Sequence, residues 1–235
     1  MAPLDQAQYS LAMLSIIIPT LNAAVALEQT LTALETSEIA TQIIVSDGGS
    51  TDETQAIAKQ LGAIVIDAPK GRGSQLAAGA NLAAHPWLLF LHADTLLDKL
   101  WQKTIGEFIT DPVMSPCAGV FKFTLDDPKP AARRLEKIVE WRCRLLGLPY
   151  GDQGLLISRQ HYDQIGGFKG LPLFEDVDIV RRIGRRNIEY LEHAAITSAI
   201  RYQKTGYVLR SLKNATCLSL YFAGLPPKLI GRIYQ

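Results

Sequence analysis

The first hundred residues alternate between short apolar runs and longer stretches whose apolar positions recur every three or four residues. "LSIIIP" (14–19) is a continuous β-branched run, as expected of a strand buried on both faces. A helix follows from about Ala24 to Thr36, and "QIIVS" (42–46) predicts a second strand. "STDETQAIAKQLG" reads as a helix opened by a capping box, Ser50 to Glu53, and stopped by Gly62. "AIVID" (63–67) is a third strand, "SQLAAGANLAA" (74–84) a third helix and "WLLFL" (87–91) a fourth strand. Strands and helices alternating at this spacing predict an α/β fold with a single Rossmann-like, mostly parallel sheet flanked by helices.

The second half is less regular. "AGVFKFTL" (118–125) alternates as a strand with one exposed face would. "AARRLEKIVEWRCRLLG" (131–147) predicts an amphipathic helix, "GLLIS" (154–158) a short strand and "EDVDIVRRIGRR" (175–186) a helix with an acidic head. No repeat, low-complexity tract or linker divides the chain, so a single domain over 1–235 is expected.

Composition narrows the classes. With 235 residues, 48% of them hydrophobic, the chain can bury a sizeable core. No apolar stretch is long enough to span a bilayer. The run "LAMLSIIIPTL" is short, carries a proline and follows nothing basic, so no signal peptide is expected. Cys117, Cys143 and Cys217 are odd in number and widely spaced, which fits neither a disulfide framework nor a zinc site and suits a reducing cytoplasm. The net charge of +1 conceals an asymmetry. Residues 1–127 hold 6 Lys+Arg against 14 Asp+Glu, whereas residues 128–235 hold 18 against 9. An acidic half that could hold a cation thus joins a basic half that could face phosphates or an anionic surface.

In an open parallel sheet, ligands sit beyond the carboxyl ends of the strands. There the chain places Pro19-Thr20-Leu21-Asn22 after strand one, Asp47-Gly48-Gly49-Ser50 after strand two, Asp67 after strand three and His92-Ala93-Asp94 after strand four. Each carboxylate has a local explanation: Asp47 could cap a turn, Asp67 could start a loop, and Asp94 could cap a helix from about Leu96. Three carboxylates at one edge also repel unless a cation or donors offset them, which points to a ligand site. In "APKGRGSQLAAGA" (68–80), Lys70 and Arg72 stand among glycines at a helix N-terminus, which favours an anion. The glycine spacing fits neither a dinucleotide fingerprint nor a P-loop.

Four colinear motifs carry a resemblance. "SIIIPTLN", "IIVSDGGSTDET", "LLFLHADT" and "LFEDVDIVRRI" together resemble an inverting family 2 glycosyltransferase with the A-type nucleotide-sugar fold, over almost the whole chain. "GLPYGDQGLLIS" and "TSAIRYQKTG" are similar to a bacterial subgroup of arsenosugar-biosynthesis type, sometimes labelled carotenoid glycosyltransferases. The resemblance implies a nucleotide-sugar-binding half (1–110) and an acceptor half (111–235) with a helical tail. It implies that Pro19, Thr20, Asn22 and Gln75 line the nucleotide pocket and that Asp47 accepts a hydrogen bond from the base. Arg72 and Arg201 would lie near the diphosphate. Asp94 matches the last Asp of the family's D-x-D signature, which binds Mn²⁺ or Mg²⁺, and such hard cations take oxygen ligands. His92 stands where an Asp is usual, and could ligate the metal, hydrogen-bond the ribose or pack.

Glu175-Asp176 matches the family's catalytic pair, whose Asp is the general base. Both carboxylates would also favour the first turn of a helix through its dipole. Asp152 and Gln153 would shape the acceptor or sugar side of the cleft. Asp178 and His193 read as structural. The apolar, basic tail after Gly206 could pack on the sheet or rest on a membrane surface beside a lipid acceptor. The implied partners are a nucleoside-diphosphate sugar, UDP-linked before GDP-linked, and a small-molecule or lipid acceptor, with no nucleic acid. A sugar nucleotidyltransferase would carry a glycine-rich Arg/Lys signature where this chain has "PTLNAA". A binding module without activity shares the fold, but Asp47, Asp94 and Asp176 are all present here.

Overall fold

In the computed structural model, residues 14–35 and 41–234 are described. Residues 11–13 of the N-terminal run and Thr36, the expected end of the first helix, lie outside them. Strands β1 (Leu14–Thr20), β2 (Thr41–Asp47), β3 (Ile64–Asp67) and β4 (Trp87–Phe90) form the parallel half of an eight-stranded sheet. Helices α1 (Ala24–Leu34), α2 (Thr54–Gln60) and α3 (Arg72–Leu82) connect them. Leu14, Ile16, Ile17 and Ile18 are fully buried, because helices cover both faces of this half.

The remaining strands are β5 (Thr95–Leu97), β6 (Ala118–Leu125), β7 (Leu155–Ser158) and β8 (Ile188–Thr197). The sheet order is β3-β2-β1-β4-β7-β6-β8-β5. β7 lies antiparallel to β4 and β6, β8 parallel to β6, and β5 antiparallel to β8. Helices α4 (Trp101–Thr110), α5 (Pro130–Leu146), α6 (Arg159–Gln164), α7 (Glu175–Ile183), α8 (Ile200–Thr205), α9 (Tyr207–Phe222) and α10 (Pro227–Tyr234) complete the described elements.

β4 and β5 are separated by residues 91–94 in sequence but by four strand spacings in the sheet. Four spacings would need about 19 Å in a flat sheet, and the extended chain from Phe90 to Thr95 reaches about 17 Å. That stretch is shortened further by a turn, in which Thr95 N–H donates to the His92 carbonyl at 3.2 Å. The sheet must therefore curl. The curl coincides with a register shift between Val120 and Lys122, where β6 slips against β8.

Two local expectations are corrected. Asp94 caps no helix: the chain re-enters the sheet as β5, with Thr95 Oγ1 3.0 Å from Thr197 Oγ1, and the next helix begins only at Trp101. Nor does Ser50 form a capping box. Its hydroxyl donates to Asp47 at 2.5 Å, and Asp52 accepts from Thr54 N–H at 3.1 Å at the head of α2. The pull of a buried carboxylate outweighs the cap.

Candidate active site

The carboxyl ends of β1 and β4, the N-termini of α3 and α7, and helices α8 and α9 enclose a cleft of about 590 Å³. Its wall includes Pro19, Thr20, Asn22, Arg72, Gln75, His92, Asp94, Asp152, Asp176 and Arg201, all singled out in the sequence. It also includes Lys70, Tyr150, Phe174, Tyr202, Arg210 and Asn214. Lys70 reaches the cleft from the glycine-rich loop before α3. For Arg210, Asn214 and Cys217 the available signal was their i, i+4, i+7 spacing, which puts them on one face of α9.

Three expected site residues do not line this cleft. Asp47 is fully buried beneath it. Its oxygens accept from Thr20 Oγ1 (2.9 Å), Gly49 N–H (2.9 Å), Ser50 N–H (2.7 Å), Ser50 Oγ (2.5 Å) and Gln55 Nε2 (3.0 Å). Burial alone would raise its pKa, but the hydrogen bonds from Ser50, Gln55 and Thr20 outweigh it and hold the carboxyl at about 2. Through these bonds Asp47 ties the turn after β2 to the end of β1. The Gln55 amide also donates to Asp67 at 2.9 Å, so one donor offsets two of the carboxylates at this edge.

Gln153 is the second. Buried at the end of a short turn, it donates to the Phe121 carbonyl (3.0 Å) and accepts from Tyr150 N–H (3.3 Å). It shapes the 149–154 loop from behind. Glu175, the third, is 1% exposed and paired with Arg72. Burial raises its pKa, with Arg72 opposing and Asp176 adding. Its contact with the cleft runs through the guanidinium it holds.

Asp176 does face the cleft. Phe174, the N-cap of α7, adopts a left-handed backbone (φ +64°) while its ring packs 4.8 Å from that of Tyr221. Such a conformation costs a non-glycine residue of order 1–3 kcal/mol. The helix starting beyond it presents Asp176 toward the 149–154 loop, where Gly151 N–H donates to its Oδ2 at 2.9 Å. Gly151 permits this approach, because a Cβ there would meet His92 Nε2 at 2.8 Å. His92 is thus packed between Gly151 and the cleft. Its pKa is held well below the usual imidazole value by burial, then by Arg72 and Arg201, so the ring is neutral at pH 7.

Asp152 follows directly. Its Oδ1 is buried without a hydrogen-bond partner, and burial, reinforced by Asp176 and Asp94 against Arg142 and Arg72, pushes its pKa up to about 6. Asp178 and His193 are structural as expected: Asp178 pairs with Arg182 at 2.6 Å and Lys169 at 3.3 Å, and His193 lies 2.9 Å from Asp98.

Among the described residues, no group of three His, Cys, Asp or Glu side chains could enclose a metal ion unaided. The donor set nevertheless suits a shared site. Asp94 offers hard oxygens on the same wall as Asp152, whose Oδ1 has no hydrogen-bond partner, and Lys70, Arg72, Arg201 and Arg210 give that wall the positive charge to attract an anionic group that would supply further oxygens.

Comparison with known proteins fits this geometry. The family model described as "Glycosyl transferase family 2" matches residues 15–171. The chain belongs to glycosyl transferase family 2. Within this family 2 chain, a stretch of 93 residues is 41% identical to a PGL/p-HBAD biosynthesis glycosyltransferase of Mycobacterium bovis, spanning 36% of this chain and 36% of that protein. The chain thus aligns with only about a third of that relative's length.

Two solved structures share the fold of the family 2 chain. Glucosyl-3-phosphoglycerate synthase from Mycobacterium tuberculosis, in complex with Mn²⁺, UDP and glucosyl-3-phosphoglycerate, is 18% identical with a TM-score of 0.56, over 82% of this chain and 72% of that one. A mannosyltransferase from Pyrobaculum calidifontis in complex with GDP-Man and Mn²⁺ is 14% identical with a TM-score of 0.60, over 94% and 67%. The A-type nucleotide-sugar fold expected from the motifs is the fold observed.

Proposed function

We propose that this family 2 chain transfers a sugar, with inversion, from a nucleoside-diphosphate donor to an acceptor hydroxyl. The observation that carries the reading is the shared cleft wall, where Asp94 and Asp176 face Lys70, Arg72, Arg201 and Arg210. The acceptor oxygen attacks the anomeric carbon opposite the leaving group and loses its proton to Asp176, which Gly151 N–H orients. The bond from the anomeric carbon to the diphosphate oxygen breaks, and the diphosphate departs with the electron pair. The four cations stabilise that developing charge. Asp94, together with the diphosphate, would hold Mn²⁺ or Mg²⁺, which supplies Lewis-acid stabilisation of the leaving group when bound. The neutral His92 contributes a hydrogen bond or packing without adding charge.

UDP is our first choice of donor base, supported by the UDP-bound relative, and GDP the second, supported by the mannosyltransferase complex. The "GLPYGDQG" and "TSAIRYQKTG" motifs support the arsenosugar-type subgroup. We place residues 1–110 as the donor half and 111–235 as the acceptor half. Three free cysteines support a reducing cytoplasm, and no described helix is long and apolar enough to cross a membrane.

The test is the thermal shift of the purified protein with UDP or GDP, each with and without Mn²⁺, beside Asp94→Ala. A nucleotide at about a hundred times its Kd stabilises the fold by about 2.7 kcal/mol. Stabilisation that needs Mn²⁺ and vanishes in Asp94→Ala supports the reading. A shift indifferent to the metal and to the mutation would remove Asp94 from the diphosphate site, and no shift with either nucleotide would reject a UDP or GDP donor.

A further inference from the structure

Helix α9 has two faces of opposite character. Arg210, Asn214 and Cys217 form part of the cleft wall. Val208, Leu212, Ala215, Ser219 and Phe222 run along the other side at i, i+4, i+7, i+11 and i+14, and all are exposed. Val208 is 74% exposed, Leu209 62% and Leu212 60%. Ile200, on the adjoining α8, is 55% exposed. Scattered exposed hydrophobic side chains need no explanation, but a row along one helix does.

The charge around this row identifies its occupant. From His193 to Gln235 the sequence contains no Asp or Glu and six cations: Arg201, Lys204, Arg210, Lys213, Lys228 and Arg232. A second copy of the chain would bring this cationic segment against itself, and like charges across an interface disfavour pairing. An anionic lipid surface complements both features, taking the apolar side chains of the row at the headgroup boundary and Lys204, Lys213, Lys228 and Arg232, the cations outside the cleft wall, at the phosphates. The 16 residues of α9 extend about 24 Å, enough to lie in the interface and too short to span the bilayer.

We propose that the outer face of α9, with its flanking cations, docks the protein on an anionic bilayer. The docking itself requires no turnover. Its consequence for the acceptor does rest on the transfer reading. A cleft whose wall is the inner face of a membrane-lying helix would receive its acceptor hydroxyl from an amphipathic molecule held in the bilayer.

Co-sedimentation with phosphatidylcholine vesicles, with and without a quarter of phosphatidylglycerol, tests the docking on the full chain without substrate. Binding should appear with phosphatidylglycerol and fall as salt rises. Lys204→Gln should weaken it about fivefold, the effect of one charge near an anionic surface. Val208→Asp/Leu212→Asp should weaken it at least about tenfold, since both apolar contacts are lost, while leaving the nucleotide thermal shift unchanged. That unchanged shift keeps failure of docking distinct from failure of the donor site. No binding to the anionic vesicles, or binding indifferent to the double substitution, would overturn the proposal. So would a dimer in sedimentation equilibrium that dissolves on Val208→Asp/Leu212→Asp while the wild type ignores vesicles.

Discussion

Arg72 Nε donates to Glu175 Oε1 across 103 positions of the chain, and the carboxylate that receives it is 1% exposed. The pair joins the first turn of α3 to the first turn of α7, the two helices that begin at the cleft. One member is solvated from the cleft and the other is not, so the two substitutions are not equivalent. Arg72→Ala abandons a buried charge and should cost about 3 kcal/mol. Arg72→Met/Glu175→Leu leaves no charge behind and should recover most of that loss. Urea unfolding of Arg72→Ala and of the double variant, each beside wild type, measures the difference. Equal losses in Arg72→Ala and the double variant would show that the buried carboxylate is not the source of the cost.

Asp47 should reveal itself in acid. Its folded pKa of about 2 lies below the 3.8 usual for an aspartate, so its contribution is complete above pH 4 and is lost as pH falls through 2. A shift of this size corresponds to about 2 kcal/mol. Asp47→Asn should therefore be destabilised by at least that amount at pH 7, and the gap from wild type should narrow between pH 4 and pH 2. A gap independent of pH would mean that shape, rather than charge, anchors the turn.

Asp152 has the opposite sign. Its folded pKa of about 6 lies above 3.8, so the wild type is penalised progressively between pH 4 and 6 and fully above pH 6. Asp152→Asn should remove that penalty, stabilising the ligand-free protein by up to about 3 kcal/mol at pH 8 and by little at pH 4. Thermal melts at the two pH values measure this. Equal melting temperatures at pH 8 would show that the unpartnered oxygen is solvated.

Asp176→Asn keeps an acceptor for Gly151 N–H and removes the base. Turnover should fall by about 10²–10⁴ while the nucleotide thermal shift is retained. Turnover within a few-fold of wild type would move the proton to another group.

The first half of the fold was legible because strands buried on two faces write continuous apolar runs; β1 and β2 fall within a residue or two of their expected bounds. β6 spans the expected residues, but Ala118–Phe121 are buried on both faces and only Lys122–Leu125 alternate between buried and more exposed positions. β5 and β8 were not read. β5 has three residues and exists through pairing with β8, while "IEYLEHAAIT" mixes charge and apolar residues in no single period. The site was partly legible for the same reason. Asp94, Asp176 and Arg72 stand at element ends that the pattern located. The roles of Asp47, Gln153 and Glu175 depend on partners 8 to 103 residues away, which spacing along the chain does not encode.

The link from β4 to β5 acts as a gauge of length. Its extended reach falls short of the distance four flat strand spacings would set, so the link and the curl depend on each other, and the link carries both His92 and Asp94. One residue added between Ala93 and Asp94 would slide β5 by one position on β8, turning Thr95 away from Thr197 and exchanging the inner and outer faces of that edge. Absorbed as slack, the same residue would let Asp94 drift from the wall it shares with Asp176. Loops elsewhere in this chain can lengthen at little cost. Here the spacing of the chemistry and the closure of the sheet are one dimension, and neither can be changed without the other.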